Sequence, residues 1–197
     1  MSSTLSTSGK TDPRVRRTRN LLYEAFMSVL SVQAFHSISV QDITEKAGVN
    51  RSTFYLHFPD KYALVEYSLD EQFRQEIEKR MLDACQFSLE NLRLLVITVG
   101  EFIARYISHC AQADPQFESL VEAQVRRQMQ SLLQMWLEQL NPDRDQRMTA
   151  TAASWAIYGL ALEWSHQKKR PQAETFSDQV LPIVSDILGA AQAAIKQ

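Results

Sequence analysis

Glycine and proline are scarce in this chain, five and six among 197 residues, which disfavours a loop-rich all-β architecture that would need both at its turns. Cysteine is scarcer still. Cys85 and Cys110 lie 25 residues apart with no CxxC and no Cys/His cluster around them. Neither a disulfide framework nor a metal site is implied, no cofactor is expected, and a reducing, cytoplasmic setting fits best. No stretch of 18 apolar residues occurs anywhere, as a spanning helix would need. The opening MSSTLSTSGKTD also lacks the apolar run of a secretory signal, so a protein neither exported nor membrane-bound is expected. A Gly-rich phosphate loop and a Ser/His/Asp set of discernible geometry are both missing, which leaves a helical enzyme or carrier as the remotest reading.

What is present is an ordinary globular composition, with 45% apolar, 22% charged and 9% aromatic residues in 22.6 kDa, enough to bury a sizeable core. The net charge of −2 is unevenly spread. Residues 1–61 carry eight basic and five acidic side chains, a net of +3, and the remainder carries −5. A positive N-terminal third on a negative body suggests a small anion-binding module joined to something with a different task.

Residues 1–11, rich in Ser and Thr, read as a mobile tail. Asp12-Pro13 is a helix start, because Asp caps well and Pro suits the first helical position. Leu21, Leu22, Ala25, Phe26, Val29 and Leu30 then recur at helical spacing to about Ala34, with the arginines gathered in the first two turns. Ser39 and Asp42 form a capping-box pattern for a second helix over Val40 to Ala47, which Gly48 can end in a left-handed conformation. Asn50 caps a third helix, Arg51 to about Phe58, whose Phe54 and Phe58 face inward. Two short helices joined by a tight Gly-containing turn and buttressed by a longer one make a helix-turn-helix pattern. A plain helical hairpin is the alternative, but the third helix leaves Arg51, Ser52, Thr53, Tyr55 and His57 as a compact polar set on its outer surface.

This stretch, SVQDITEKAGVNRSTFYLHFPDK from Ser39 to Lys61, resembles the tetracycline-repressor-like (TetR/AcrR) transcriptional regulators in its AGV, its STFYLHF run and the Lys just after a helix cap. The resemblance is specific over residues 13–70 and architectural beyond. It implies DNA binding, with residues matching Tyr55, His57 and Lys61 near backbone phosphates. The N-terminus of the third helix would meet base edges in the major groove, Arg51 suiting guanine and Thr53 a thymine methyl or a phosphate. Leu56, opposite the inward face, can also touch the duplex. Arg14, Arg16 and Arg17 are either auxiliary phosphate binders or a solvated helix end. Ser39 is a cap that can also seat a phosphate, and Gln41 is a weaker candidate. His57 has no second ligand at metal spacing, so phosphate contact is preferred to catalysis.

From Asp60, Val65, Leu69, Phe73, Ile77 and Met81 recur every four residues, predicting a six-turn helix that links the module to the body. Further apolar stripes, with Asp114-Pro115 and Asn141-Pro142 as helix starts, make the chain all-α with about nine helices. The expected division is residues 12–61 for DNA binding and 62–197 for a helical bundle. The last two helices, about Pro142 to Gln167 and Ser177 to Ile195, carry Ala152, Ala156, Gly159, Val184, Ile187, Leu188 and Ala191, with Pro182 either a kink or a later start. Such stripes predict a four-helix interface in a two-fold dimer, the alternative being protomer core. Family resemblance implies the same dimer, hence a palindromic operator of double-stranded DNA. Phe102, Tyr106, His109, Met129, Trp136, Trp155 and Tyr158 either line a pocket for a small-molecule effector or pack as aromatic core. By resemblance such an effector would move the linking helix and release a repressor from DNA. A DNA-binding dimer answering to a protein partner or to DNA alone stands as the alternative.

Overall fold

The computed structural model of the chain describes residues 12–80, 86–110, 114–140 and 145–189. Among these residues there are eight α-helices, one short 3-10 turn and no strand, one helix fewer than expected: α1 Pro13–Leu30, the 3-10 turn Phe35–Ser37, α2 Val40–Ala47, α3 Arg51–His57, α4 Lys61–Arg80, α5 Leu89–His109, α6 Pro115–Leu140, α7 Gln146–Ser165 and α8 Ala173–Leu188. None of these helices is long and apolar enough to cross a membrane.

Local chemistry explains most boundaries. The Asp12 carboxylate accepts from the Arg14 N–H at 2.8 Å. In α2 the box is closed both ways, the Asp42 N–H donating to Ser39 Oγ at 3.2 Å and the Ser39 N–H to Asp42 Oδ2 at 2.8 Å. The Ser39 hydroxyl also donates to Asp42 Oδ2 at 2.7 Å, and this bond, then that of the Ser39 N–H, holds the Asp42 carboxyl below its usual value. Gly48 ends the helix at φ 67°, a conformation that a β-carbon would strain. Asp60 accepts from the Ala63 N–H at 2.8 Å and opens α4. Asp114 opens α6 through the Gln116 and Phe117 N–H groups.

Other expectations are corrected. Helix α1 stops at Leu30, four residues early, because Ser31 Oγ bonds back to the Ser28 carbonyl and the chain turns toward Phe35. Phe58 falls just outside α3 as an extended cap residue, yet stays buried. The described start of α7 is capped by Asp145, whose carboxylate accepts from Met148; Asn141-Pro142 lies outside the described residues, as do Met81, Cys85 and Ala191. Helix α8 begins at Ala173 rather than Ser177 and carries Pro182 in its interior.

Helices α1 to α3 close over Leu22, Phe26, Ile43, Phe54 and Phe58. Helix α4 leaves them, and the body then runs back and forth. Tyr106 near the end of α5 touches Tyr23 of α1, and Phe117 at the start of α6 packs on Phe26 and Phe35 at 6.1 and 5.6 Å between ring centres. His166, just past α7, lines the same hollow as Tyr106 and Phe117. The α5–α6 and α7–α8 junctions therefore share the end of the body that faces the helix-turn-helix. Helix α5 approaches α7 and α8 closely at Gly100, where an added β-carbon would meet the stacked Trp164 and Phe176 rings at 3.3 and 3.4 Å.

Candidate nucleic-acid interface and body cavity

Helix α3 has two faces of opposite character. Phe54 and Phe58 are buried behind it, their ring centres 5.9 Å apart. In front, Arg51 and Ser52 are exposed, Tyr55 is 50% exposed and Leu56 83%. Arg51 makes no ion pair among the described residues, so its guanidinium is available to an outside acceptor. Asn50 accepts at Oδ1 from the Thr53 N–H at 2.8 Å and from the Ser52 and Thr53 hydroxyls at 2.6 and 2.8 Å. Both hydroxyl protons are thus spent on the cap. What Ser52 and half-buried Thr53 present outward is acceptor lone pairs, which leaves Thr53 no hydroxyl proton for the phosphate contact expected of it.

His57 is half-buried against Phe58. Burial and then the nearby Arg19 cation push its pKa below 6.5, so near neutral pH it meets a partner as a neutral imidazole. Arg19 itself was not singled out from sequence. Its guanidinium lies 4.6 Å from the Tyr67 ring centre and 5.6 Å from that of Phe58, with its Nε buried and unbonded. The available signal was its register with Tyr23 and Phe26, which puts a charge on the inward face of α1. Arg14 and Arg17 are exposed and in no ion pair among the described residues. Exposed Gln41 is turned sideways, donating to Glu45 at 2.8 Å.

Lys61 departs furthest from expectation. Its ammonium donates to the carbonyls of Phe35 and Ile38 at 2.8 Å and of His36 at 3.3 Å, above the Phe35 ring. An ammonium has three protons, and all are engaged inside the protein rather than offered to phosphate. Burial lowers its pKa, against the pull of Asp114 and Asp42.

In the body, a cavity of about 220 Å³ lies between α5, α6 and α7. Tyr106 and Tyr158 line it, with Phe117, Val121, Leu162, Cys110, Glu118 and His166. Other residues expected there lie elsewhere. Phe102, Met129 and Trp136 are buried core, Trp136 against Phe87, because their helical faces point between helices that meet without a gap. His109 is exposed, bonded to the Arg105 carbonyl. Trp155 is 48% exposed, with the Arg126 guanidinium 3.6 Å from its ring centre. The Tyr106 hydroxyl bonds to that of Tyr23 in α1 at 2.6 Å and donates to Gln72 of α4 at 2.9 Å. The expected dimer set also divides. Ala152 and Gly159 are exposed, Ala156 and Ile187 half-buried, but Val184 and Leu188 are sealed within the protomer, since they point from α8 toward α5 and α7. Among the described residues no cluster of His, Cys, Asp and Glu can hold a metal ion.

Comparison with known proteins agrees with this geometry. Residues 22–67 match the family model described as bacterial regulatory proteins, tetR family. Over 68 residues the chain is 37% identical to an uncharacterized HTH-type transcriptional regulator, YxbF, of Bacillus subtilis, covering 34% of this chain and 18% of that protein. Over 60 residues it is 32% identical to the HTH-type dhaKLM operon transcriptional activator DhaS of Lactococcus lactis, covering 30% of this chain and 32% of that one. The matches thus span about a third or less of these curated relatives. The fold extends further: the Bacillus subtilis regulator FadR, solved with stearoyl-CoA, superposes with a TM-score of 0.62 at 18% identity over 84% of this chain and 96% of that one.

Proposed function

From the match of residues 22–67 to the family model of bacterial regulatory proteins, tetR family, we propose that the chain is a dimeric, sequence-specific repressor that a small-molecule effector releases from a palindromic operator. The observation that carries DNA binding is the two-faced α3: Arg51, Ser52, Tyr55 and Leu56 face outward while Phe54 and Phe58 hold the helix from behind. Residues 12–61 are the reading unit, and the chain from residue 62 onward senses and dimerises. Arg51 reads a base edge, Ser52 and Thr53 accept from base amino groups, Leu56 meets a methyl, and Tyr55, His57, Arg14 and Arg17 lie along phosphates, with Gln41 and Ser39 at the first turn of α2. Lys61 acts as a positioning residue. Acting on operator DNA, the protein works in the cytoplasm.

Two-fold pairing through α7 and α8 would set two α3 helices about 34–36 Å apart, one turn of duplex. The exposed row Met148, Ala152, Trp155 and Gly159 on α7, with Ile183 on α8, supports that pairing. Effector release is supported by Tyr106, which is at once a cavity wall and the hydrogen-bond partner of α1 and α4. A ligand that displaces its ring shifts the population of α1 positions only by as much as it prefers one of them.

The test is selection of bound sequences from random duplex DNA, followed by titration of the winning site with Arg51→Ala and Tyr55→Phe. Arg51→Ala should relax preference at one base pair per half-site, costing about 1–3 kcal/mol. Tyr55→Phe should weaken all sequences alike. Enrichment of no palindrome, or indifference to both substitutions, would overturn the assignment.

A further inference from the structure

We propose, resting on the effector reading above, that the body cavity takes a single-ring organic ammonium and rejects acyl carboxylates and phosphates. The ring would lie against Phe117, Val121 and Leu162, with the cation between the Tyr158 hydroxyl and the Glu118 carboxylate.

Size sets the first limit. An apolar cavity of about 150 Å³ accommodates benzene, so 220 Å³ suits one ring with a short chain and has no room for a long acyl tail. The second observation is Tyr158. It is only 5% exposed, it lines the cavity, and its hydroxyl has no hydrogen-bond partner among the described residues. The ring is sealed in, but among the described residues Arg19 Nε is the polar atom that is both fully buried and unbonded, so the Tyr158 oxygen is open to the cavity and free to bond to a ligand.

Charge decides the ligand's sign. No Lys or Arg lines the cavity among the described residues. Glu118 lies at its rim, exposed and in no ion pair among the described residues. Glu122, the next carboxylate along α6, is already matched by Arg126 at 3.1 Å. Asp114 below is hydrogen-bonded to His36, and His166 is the one imidazole on the lining. The lining groups register this acidic surround. The Cys110 thiol is pushed up to about 11 by burial, then by Glu118 and Asp114, and the Tyr158 phenol is pushed up by burial, Glu122 and Glu118 against the pull of Arg126. A carboxylate or phosphate would meet Glu118 at the rim, while the cations that reach the lining tyrosines, Arg126 and Arg105, already face Glu122 and Glu76. An ammonium would complete the unmatched Glu118, donate to the Tyr158 oxygen and lie against aromatic faces.

The experiment is calorimetric titration of the full chain with three probes of one shape: phenethylammonium, phenethyl alcohol and phenylpropionate. The ammonium should bind about fivefold tighter than the alcohol, the upper range for one partly exposed charge pair, and phenylpropionate should give no binding heat. Glu118→Gln should abolish the ammonium's advantage while the alcohol binds as before, and Tyr158→Phe should weaken both. Phenylpropionate binding as well as the ammonium, an advantage that survives Glu118→Gln, or silence from all three probes would overturn the proposal. Operator release is read separately by fluorescence anisotropy. A probe that binds as expected yet leaves DNA affinity untouched overturns the effector reading and leaves the ligand class standing.

Discussion

At the scale of single residues, the buried polar groups near the junction of α1 and the body are the most constrained. Burial alone would raise the Asp114 carboxyl, but hydrogen bonds from the His36 N–H and ring and from the Phe117 and Gln116 N–H groups outweigh it and hold the pKa below 3.8. The unfolded chain therefore takes up this proton before the folded one does. The stability contributed is fully present above about pH 4 and is lost as pH falls through the depressed folded value. Asp114→Asn should cost about 1–3 kcal/mol near neutral pH and flatten the acid limb, as read by urea unfolding at a series of pH values. Gly48 has open space where a β-carbon would go, so only its φ of 67° penalises a side chain. Gly48→Ala should cost about 1 kcal/mol and lower the melting temperature by about 2–4 °C. The outward face of α3 was legible at this scale, since Arg51, Tyr55 and Leu56 follow from helical period against Phe54. The engagement of Lys61 and of the Ser52 and Thr53 hydroxyls was not, because it depends on which carbonyl or amide oxygen the fold or the cap brings within reach.

At the scale of elements, α3 has seven residues, too few to be helical alone in water. It persists through the Asn50 cap and two buried rings. Phe54→Ala should cost about 3–5 kcal/mol, concentrated in α1 to α3. Hydrogen exchange should then show amides of residues 40–58 losing protection while those of α5 and α7 keep theirs, with operator binding abolished. Element boundaries were readable where a side chain signs them. The box of Ser39 with Asp42, Gly48 and Asn50 gave α2 to the residue and the start of α3. Helix α8 starts at Ala173 after the cap residue Gln172, which makes no capping bond with its side chain, and no local signal separates that start from the Ser177 start that periodicity suggested. Nor does periodicity tell Tyr106 from Trp136: both are buried aromatics on apolar stripes, and only helix packing leaves a gap beside one and none beside the other.

For the whole molecule, exposure separates the proposed dimer interface from the protomer interior. Gly159 has open space around it, whereas Leu188 is buried within the protomer. Gly159→Arg should yield a folded monomer by sedimentation velocity, with operator affinity reduced more than a hundredfold because each half-site must then be held alone. Leu188→Ala should instead destabilise the protomer by about 2–5 kcal/mol, visible in the melt before any change in association. A single copy that dimerises despite Gly159→Arg would remove α7 from the interface.

The hook that Lys61 throws over the carbonyls of Phe35, His36 and Ile38 has a mechanical corollary. The first residue of α4 is tied to the loop that introduces α2, so the reading head has no swivel where it meets its shaft. Tilting α4 at its far end must carry α2 and α3 along as one rigid piece. Over a twenty-residue helix, about 30 Å of lever, a small pivot in the body becomes, in the proposed dimer, a detuned pitch between paired heads.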